Sequence, residues 1–185
     1  KLGIDFGEQW HKDPAYRKET ILAMRDLLKK TFPDFPVGYL SEDPDLLTGT
    51  MGGCPVAGIY GIPVIFSKDG WPNCAHEYYT LEEIEQLDSP DLDQNEFFQS
   101  LMRQLDWIEK SEGKIIGFIN WQGLLNNAQR IMGNQIFTEM FMHPDLVKHL
   151  MECICKTMID ATKRIRKRQE ESGVKYDFFT VSNCL

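Results

Sequence analysis

The sequence predicts an α/β chain in which short apolar strands alternate with amphipathic helices. Three observations carry this expectation. Apolar runs at residues 37–40, 114–119 and 174–181 each deliver a polar stretch: Ser41-Glu42-Asp43, Asn120-Trp121-Gln122 and Ser182-Asn183-Cys184. Between them, apolar residues recur at helical spacing of three and four. The composition, 42% hydrophobic and 26% charged over 185 residues, is that of a chain able to bury a core. Alternation of this kind builds parallel βα units, whose ligands sit beyond the carboxyl ends of the strands. Function is therefore expected on the three polar stretches.

The first helix opens at Asp13-Pro14, where Asp can cap and Pro at the first helical position gives up no hydrogen bond. Ile21, Met24, Leu27 and Leu28 mark its apolar face, and Phe32-Pro33 ends it. The run at 37–40 is the first strand. Gly49-Thr50-Met51-Gly52-Gly53 reads as a flexible segment that makes a turn or a close helix packing; it is no phosphate loop, because no Gly-Lys-Ser/Thr follows. Residues 62–66 form a second strand whose Pro63 points to an edge or a strand start. Thr80-Leu81-Glu82-Glu83 is a capping box and starts a short acidic helix. A helix over 97–111 follows, with Phe98, Leu101, Met102, Leu105 and Ile108 on one face, and the longest spans 145–172 with Gly173 as its stop.

Twenty Lys+Arg against 28 Asp+Glu give a net charge of −8, which argues against general nucleic-acid binding. The basic run from Lys163 to Arg168 sits at the end of an amphipathic helix and reads as a solvated face. Five irregularly spaced cysteines do not make a secreted disulfide framework and suggest a reduced, cytoplasmic protein. Cys74-Ala75-His76 offers two ligands where a zinc site needs more, so both are expected to be ordinary surface residues. Cys153 and Cys155 are expected to pack on different helix faces.

Several segments together resemble the uroporphyrinogen decarboxylase superfamily. They are Tyr60-Gly61-Ile62-Pro63-Val64 with Pro72, Ser89-Pro90-Asp91, Gly117-Phe118 through Gly133, and His143-Pro144-Asp145-Leu146-Val147 with the long helix. The resemblance covers residues 13–185 and implies a (β/α)8 TIM barrel, of which this chain would be the N-terminal half. The first residue, Lys1, and the last strand at the chain's end agree with a partial barrel. Such a half would expose sheet edges and form homo-oligomers or complete itself with a partner. The superfamily contains a tetrapyrrole decarboxylase and zinc-dependent methyltransferases that move methyl groups to or from a corrinoid or a thiol.

The departures favour the methyltransferase branch. The decarboxylase's pyrrole-binding Asp would fall on Gly52 without a gap, or on Glu42 or Asp43 if aligned from the strand end. Its Tyr would fall near Ala128, and its barrel Ser on Ser182. Its arginines have no match beside Gln9, Trp10 and His11. The expected function is methyl transfer between a small methylated compound or thiol and a corrinoid protein, with zinc held by residues outside this chain. Glu42, Asp43, Gln122 and Ser182 are the expected catalytic groups. Asn120, Trp121, Asn126, Arg130, Asn183 and Cys184 are expected to bind the substrate. The alternatives are a tetrapyrrole decarboxylase and a non-catalytic half barrel.

Overall fold

Side-chain caps at Asp13, Thr80 and Asn95 set three of the helix starts. The computed structural model describes residues 2–35 and 43–175. A short helix α1 (Glu8–Lys12) leads to α2 (Pro14–Thr31), where the Asp13 carboxylate accepts from the amides of Ala15 and Tyr16 at 2.9 and 3.2 Å. The chain then makes consecutive turns over 47–53 and enters α3 (Pro55–Ile59). β1 (Val64–Ser67) and β2 (Gly70–Cys74) form an antiparallel hairpin, with Val64 opposite Cys74 and Ile65 opposite Asn73. The capping box holds at the start of α4 (Leu81–Glu85): Thr80 and Glu83 exchange side-chain-to-backbone bonds of 2.8 and 3.2 Å. Next come α5 (Glu96–Glu112), α6 (Leu124–Met132), a 3-10 turn over Gly133–Gln135, α7 (Ile136–Met142) and α8 (Pro144–Glu171).

The long helix α8 is the backbone of the packing, touching α3, α4, α5, α6 and α7. Its buried stripe, Val147, Leu150, Ile154, Ala161 and Ile165, follows the helical period and meets Ile84, Phe98, Leu105 and Ile131 in one cluster. Its basic end is solvated and paired: Arg168 bridges Asp106 and Glu109 at 2.7 and 2.6 Å, and Arg164 binds Asp93. Arg17 of α2 is fully buried. Its guanidinium donates to the carbonyls of Leu46 and Trp10 and to Gln104 Oε1, each at 2.8 Å, and to the His11 carbonyl at 3.2 Å.

Two sequence expectations change here. Residues 114–119 are not a strand. Their backbone groups are taken by side chains: Gln169 donates to the carbonyls of Ile115 and Gly117, Ser172 Oγ accepts from Ile115 N–H, and Thr48 Oγ1 accepts from Phe118 N–H. An apolar run whose donors and acceptors are met this way has no need of a sheet ladder. The segment at 49–53 makes the expected turns. Its turns are closed by amide bonds from Thr50 to Leu47 and from Gly52 to Gly49, and Thr50 and Met51 are buried. The strand expected at 62–66 is present in shifted form as β1, but its partner is antiparallel. Among the described residues the hairpin is the sole sheet. The runs at 37–40 and 176–181 lie outside the described residues.

Candidate functional site

The site is built on α6 and the loop that feeds it. Asn120 Oδ1 accepts from the Gln122 amide at 3.1 Å, turning the chain, and Gln122 takes a left-handed φ of 60°. That is a strained conformation for a residue with a side chain. Asn126 and Arg130 then follow at a four-residue interval along one side of α6, with Gln122 in the loop just before its Gly123 N-cap. Asn126 Nδ2 donates to Gln122 Oε1 at 3.1 Å. The Gln122 amide lies across Gly53, where a Cβ would come within 2.5 Å of Nε2, so glycine is what admits the side chain.

Next to Gly53 is Cys54, which precedes the first turn of α3, and from the other side the hairpin brings in Cys74 at the end of β2. Arg130 Nη1 donates to both sulfurs, at 3.3 Å to Cys54 and 3.4 Å to Cys74. The Cys74 S–H is placed to donate to Cys54 once that sulfur is ionised. When protonated, Cys54 donates to the Pro72 carbonyl at 3.5 Å. The pair gives up its first proton easily: the Cys74 S–H bond, against the cost of burial and with help from Arg130, brings Cys54 down to about 6. Cys74, the donor to that thiolate, is buried beside its negative charge and is pushed far up. The result is one thiolate and one thiol under a guanidinium, the environment that makes cysteine nucleophilic at neutral pH.

Cys74 and Arg130 line a polar cavity of about 200 Å³, together with Asn134 and the stacked rings of His76 and Tyr78, whose centroids are 6.0 Å apart. Cys54 lies behind Cys74 with no exposed surface. The expectation that Cys74 is an ordinary surface residue is therefore corrected: it is buried and paired.

Of the expected site residues, the fold brings Gln122, Asn126 and Arg130 together. Trp121 is corrected to a core residue: it is 4% exposed within the main cluster, and its carbonyl accepts from Asn127 Nδ2 at 2.7 Å. Asn120 acts through the turn it closes. Asp43 pairs with Lys114 at 3.0 Å. Glu42, Ser182, Asn183 and Cys184 lie outside the described residues. The sequence reading missed the Cys54–Cys74 pair. Its available signal was Asp69-Gly70, a hairpin dipeptide that would have folded Cys74 back toward residues before it.

The described residues do not fit zinc. Among them no three His, Cys, Asp or Glu side chains gather, and the thiol pair already faces a guanidinium cation. Nor is any helix among them long and apolar enough to cross a membrane. These features define a mostly helical chain carrying a buried thiol pair under an arginine. No family model, curated protein or solved structure matches the chain.

Proposed function

We propose that the chain is part of a methyltransferase that moves a methyl group between a small methylated compound and a thiol or a corrinoid-carrying partner protein. The proposal includes the (β/α)8 barrel, with this chain as its N-terminal half. The observation that carries it is the thiol pair beneath Arg130 on a polar cavity. Methyl transfer to sulfur needs the attacking thiol to lose its proton at neutral pH, and the Cys54 thiolate beside Cys74 is a base placed to take it. The cavity is small. At about 200 Å³ it lies below the ~300–1,000 Å³ of pockets for drug-sized ligands, and so suits a donor of a few heavy atoms better than a tetrapyrrole with eight carboxylates.

In the half-reaction that these residues support, Cys74 faces the donor and Cys54 takes its proton. As the Cys74 sulfur attacks the methyl carbon its proton passes to the Cys54 thiolate, the new S–C bond forms, and the bond to the donor breaks with its electron pair leaving on the donor. Arg130 stays over both sulfurs and offsets the negative charge as it passes between them. The Gln122 amide, in the loop before α6, and the Asn126 amide bonded to it orient polar groups of the donor. An acceptor nucleophile then attacks the S-methyl group and releases Cys74 as a thiolate, which recovers the proton.

The test is incubation of the purified protein with isotopically labelled methyl donors (methyl alcohols, methylamines, methyl thioethers and methoxyarenes), followed by peptide mass spectrometry. A labelled methyl group on the Cys74 peptide, absent in Cys74→Ala and reduced in Cys54→Ala, is the expected result. Unlabelled thiols after every donor would overturn the reading, and so would release of carbon dioxide from uroporphyrinogen, which would establish the decarboxylase instead.

A further inference from the structure

A second cavity, of about 280 Å³, lies against the hairpin and is lined by Phe6, Trp10, His11, Asp69, Gly70 and Trp71. Side chains alternate along β2, so Trp71 faces away from Cys74. The thiol site and this cavity therefore belong to opposite faces of one strand.

The walls are aromatic. Phe6 and Trp10 have ring centroids 5.7 Å apart at 57°, and Trp10 meets His11 edge-on at 5.0 Å. The benzo edges of Trp10 and Trp71 converge on Gly49, each 3.6 Å from where a Cβ there would sit. The polar groups are few and specific. His11 Nδ1 accepts from the Met51 amide at 3.1 Å, so the ring proton is on Nε2. Burial and the nearby Arg17 charge bring His11 down to about 4, which leaves the imidazole neutral at pH 7.

Asp69 is the lone charged side chain among the described residues that line the cavity. Lys12 is paired with Glu8 at 2.5 Å and Lys68 with Asp5 at 3.8 Å, whereas Asp69 makes no ion pair among the described residues. Arg17 lies 5.6 Å from the Trp10 ring but does not line the cavity, being held by the carbonyls of Leu46, Trp10 and His11. Aromatic faces beside a carboxylate, without a competing cation in the cavity, are the chemistry that recognises a poorly hydrated cation.

We propose that this cavity binds a small quaternary or methylated ammonium ion, held against Trp10, Trp71 and Phe6 with Asp69 as counter-ion. The His11 Nε2–H is available to a hydroxyl or carboxylate on the same ligand. The assignment is independent of the thiol chemistry, since none of its lining residues belongs to that site.

The test is calorimetric titration of the purified protein with choline and with its uncharged isostere, 3,3-dimethylbutan-1-ol. Choline is expected to bind at least tenfold more tightly than the isostere. Trp71→Ala and Asp69→Asn, both at exposed positions, should each weaken choline by roughly fivefold or more with unchanged circular dichroism, the range of a cation–π contact. Equal binding of choline and the isostere would show a merely apolar cavity and overturn the proposal. So would failure of choline to bind, or full choline affinity in both variants.

Discussion

Replacing Cys74 by Ala removes the hydrogen bond that does most to hold Cys54 as a thiolate. With the bond in place, a thiol titrating at about 6 is about 90% ionised at pH 7, whereas one at the ordinary ~8.5 is about 3% ionised. The difference amounts to roughly 3 kcal/mol between thiolate and thiol. Arg130 cannot supply that alone, because Cys54 is fully buried and burial works against its charge. The assay is the ultraviolet absorbance of thiolate, followed against pH in native protein, which reads a buried sulfur as well as an exposed one. Wild type should show one thiolate per chain at pH 7, and Cys74→Ala almost none. Cys74→Ser, which keeps a donor, should retain most of the signal, and Arg130→Gln should lie between. A full thiolate signal at pH 7 in Cys74→Ala would refute the coupling of the two sulfurs.

Gly53→Ala places a methyl group 2.5 Å from Gln122 Nε2 and should displace that amide from Asn126. The side chain can swing away, so urea denaturation should show a loss of only ~1 kcal/mol, while methyl transfer falls roughly tenfold to a hundredfold. Arg17→Met leaves the carbonyls of Leu46, Trp10 and His11 without their buried donor, and should cost roughly 3–5 kcal/mol by the same denaturation measurement. His11 gives stability a pH dependence of defined sign. Its folded value of about 4 lies below the unfolded ~6.5, so the unfolded chain binds the proton first and stability falls as pH drops through that window. The loss should reach roughly 3 kcal/mol below pH 4 and should be absent in His11→Gln; an unchanged acid profile in that variant would exclude His11 as its source.

Four of the eight α-helices among the described residues, α2, α4, α5 and α8, were legible, two of them because their start signals are local. Asp13-Pro14 and the Thr80-to-Glu83 box each act within a turn, and both work in the structure as their sequence suggests. The run at 114–119 was not legible as irregular chain, since its partners Thr48, Gln169 and Ser172 are 52 to 70 residues distant. A short apolar segment carries no mark of whether a strand or a set of side chains will take its backbone groups. The site divides along the same line. Asn126 and Arg130 could be grouped by their four-residue spacing, with Gln122 in the loop before them. Cys54 and Cys74 could not, because their meeting depends on the hairpin turning at Lys68-Asp69 and on the tight turns at 47–53.

Those turns have a consequence for how the protein can change. His11 bonds Met51, Trp10 and Trp71 rest on Gly49, Pro72 sits against Gly52, and Gln122 lies on Gly53. Five consecutive residues thus form a party wall, with aromatic rings leaning on one end and the thiol site on the other. A substitution selected to reshape either chamber is tested at once by its neighbour, so the two cannot drift independently. Variation should accumulate instead on the rims, at positions such as Asp69, His76 and Asn134, where each chamber can be retuned without moving the wall.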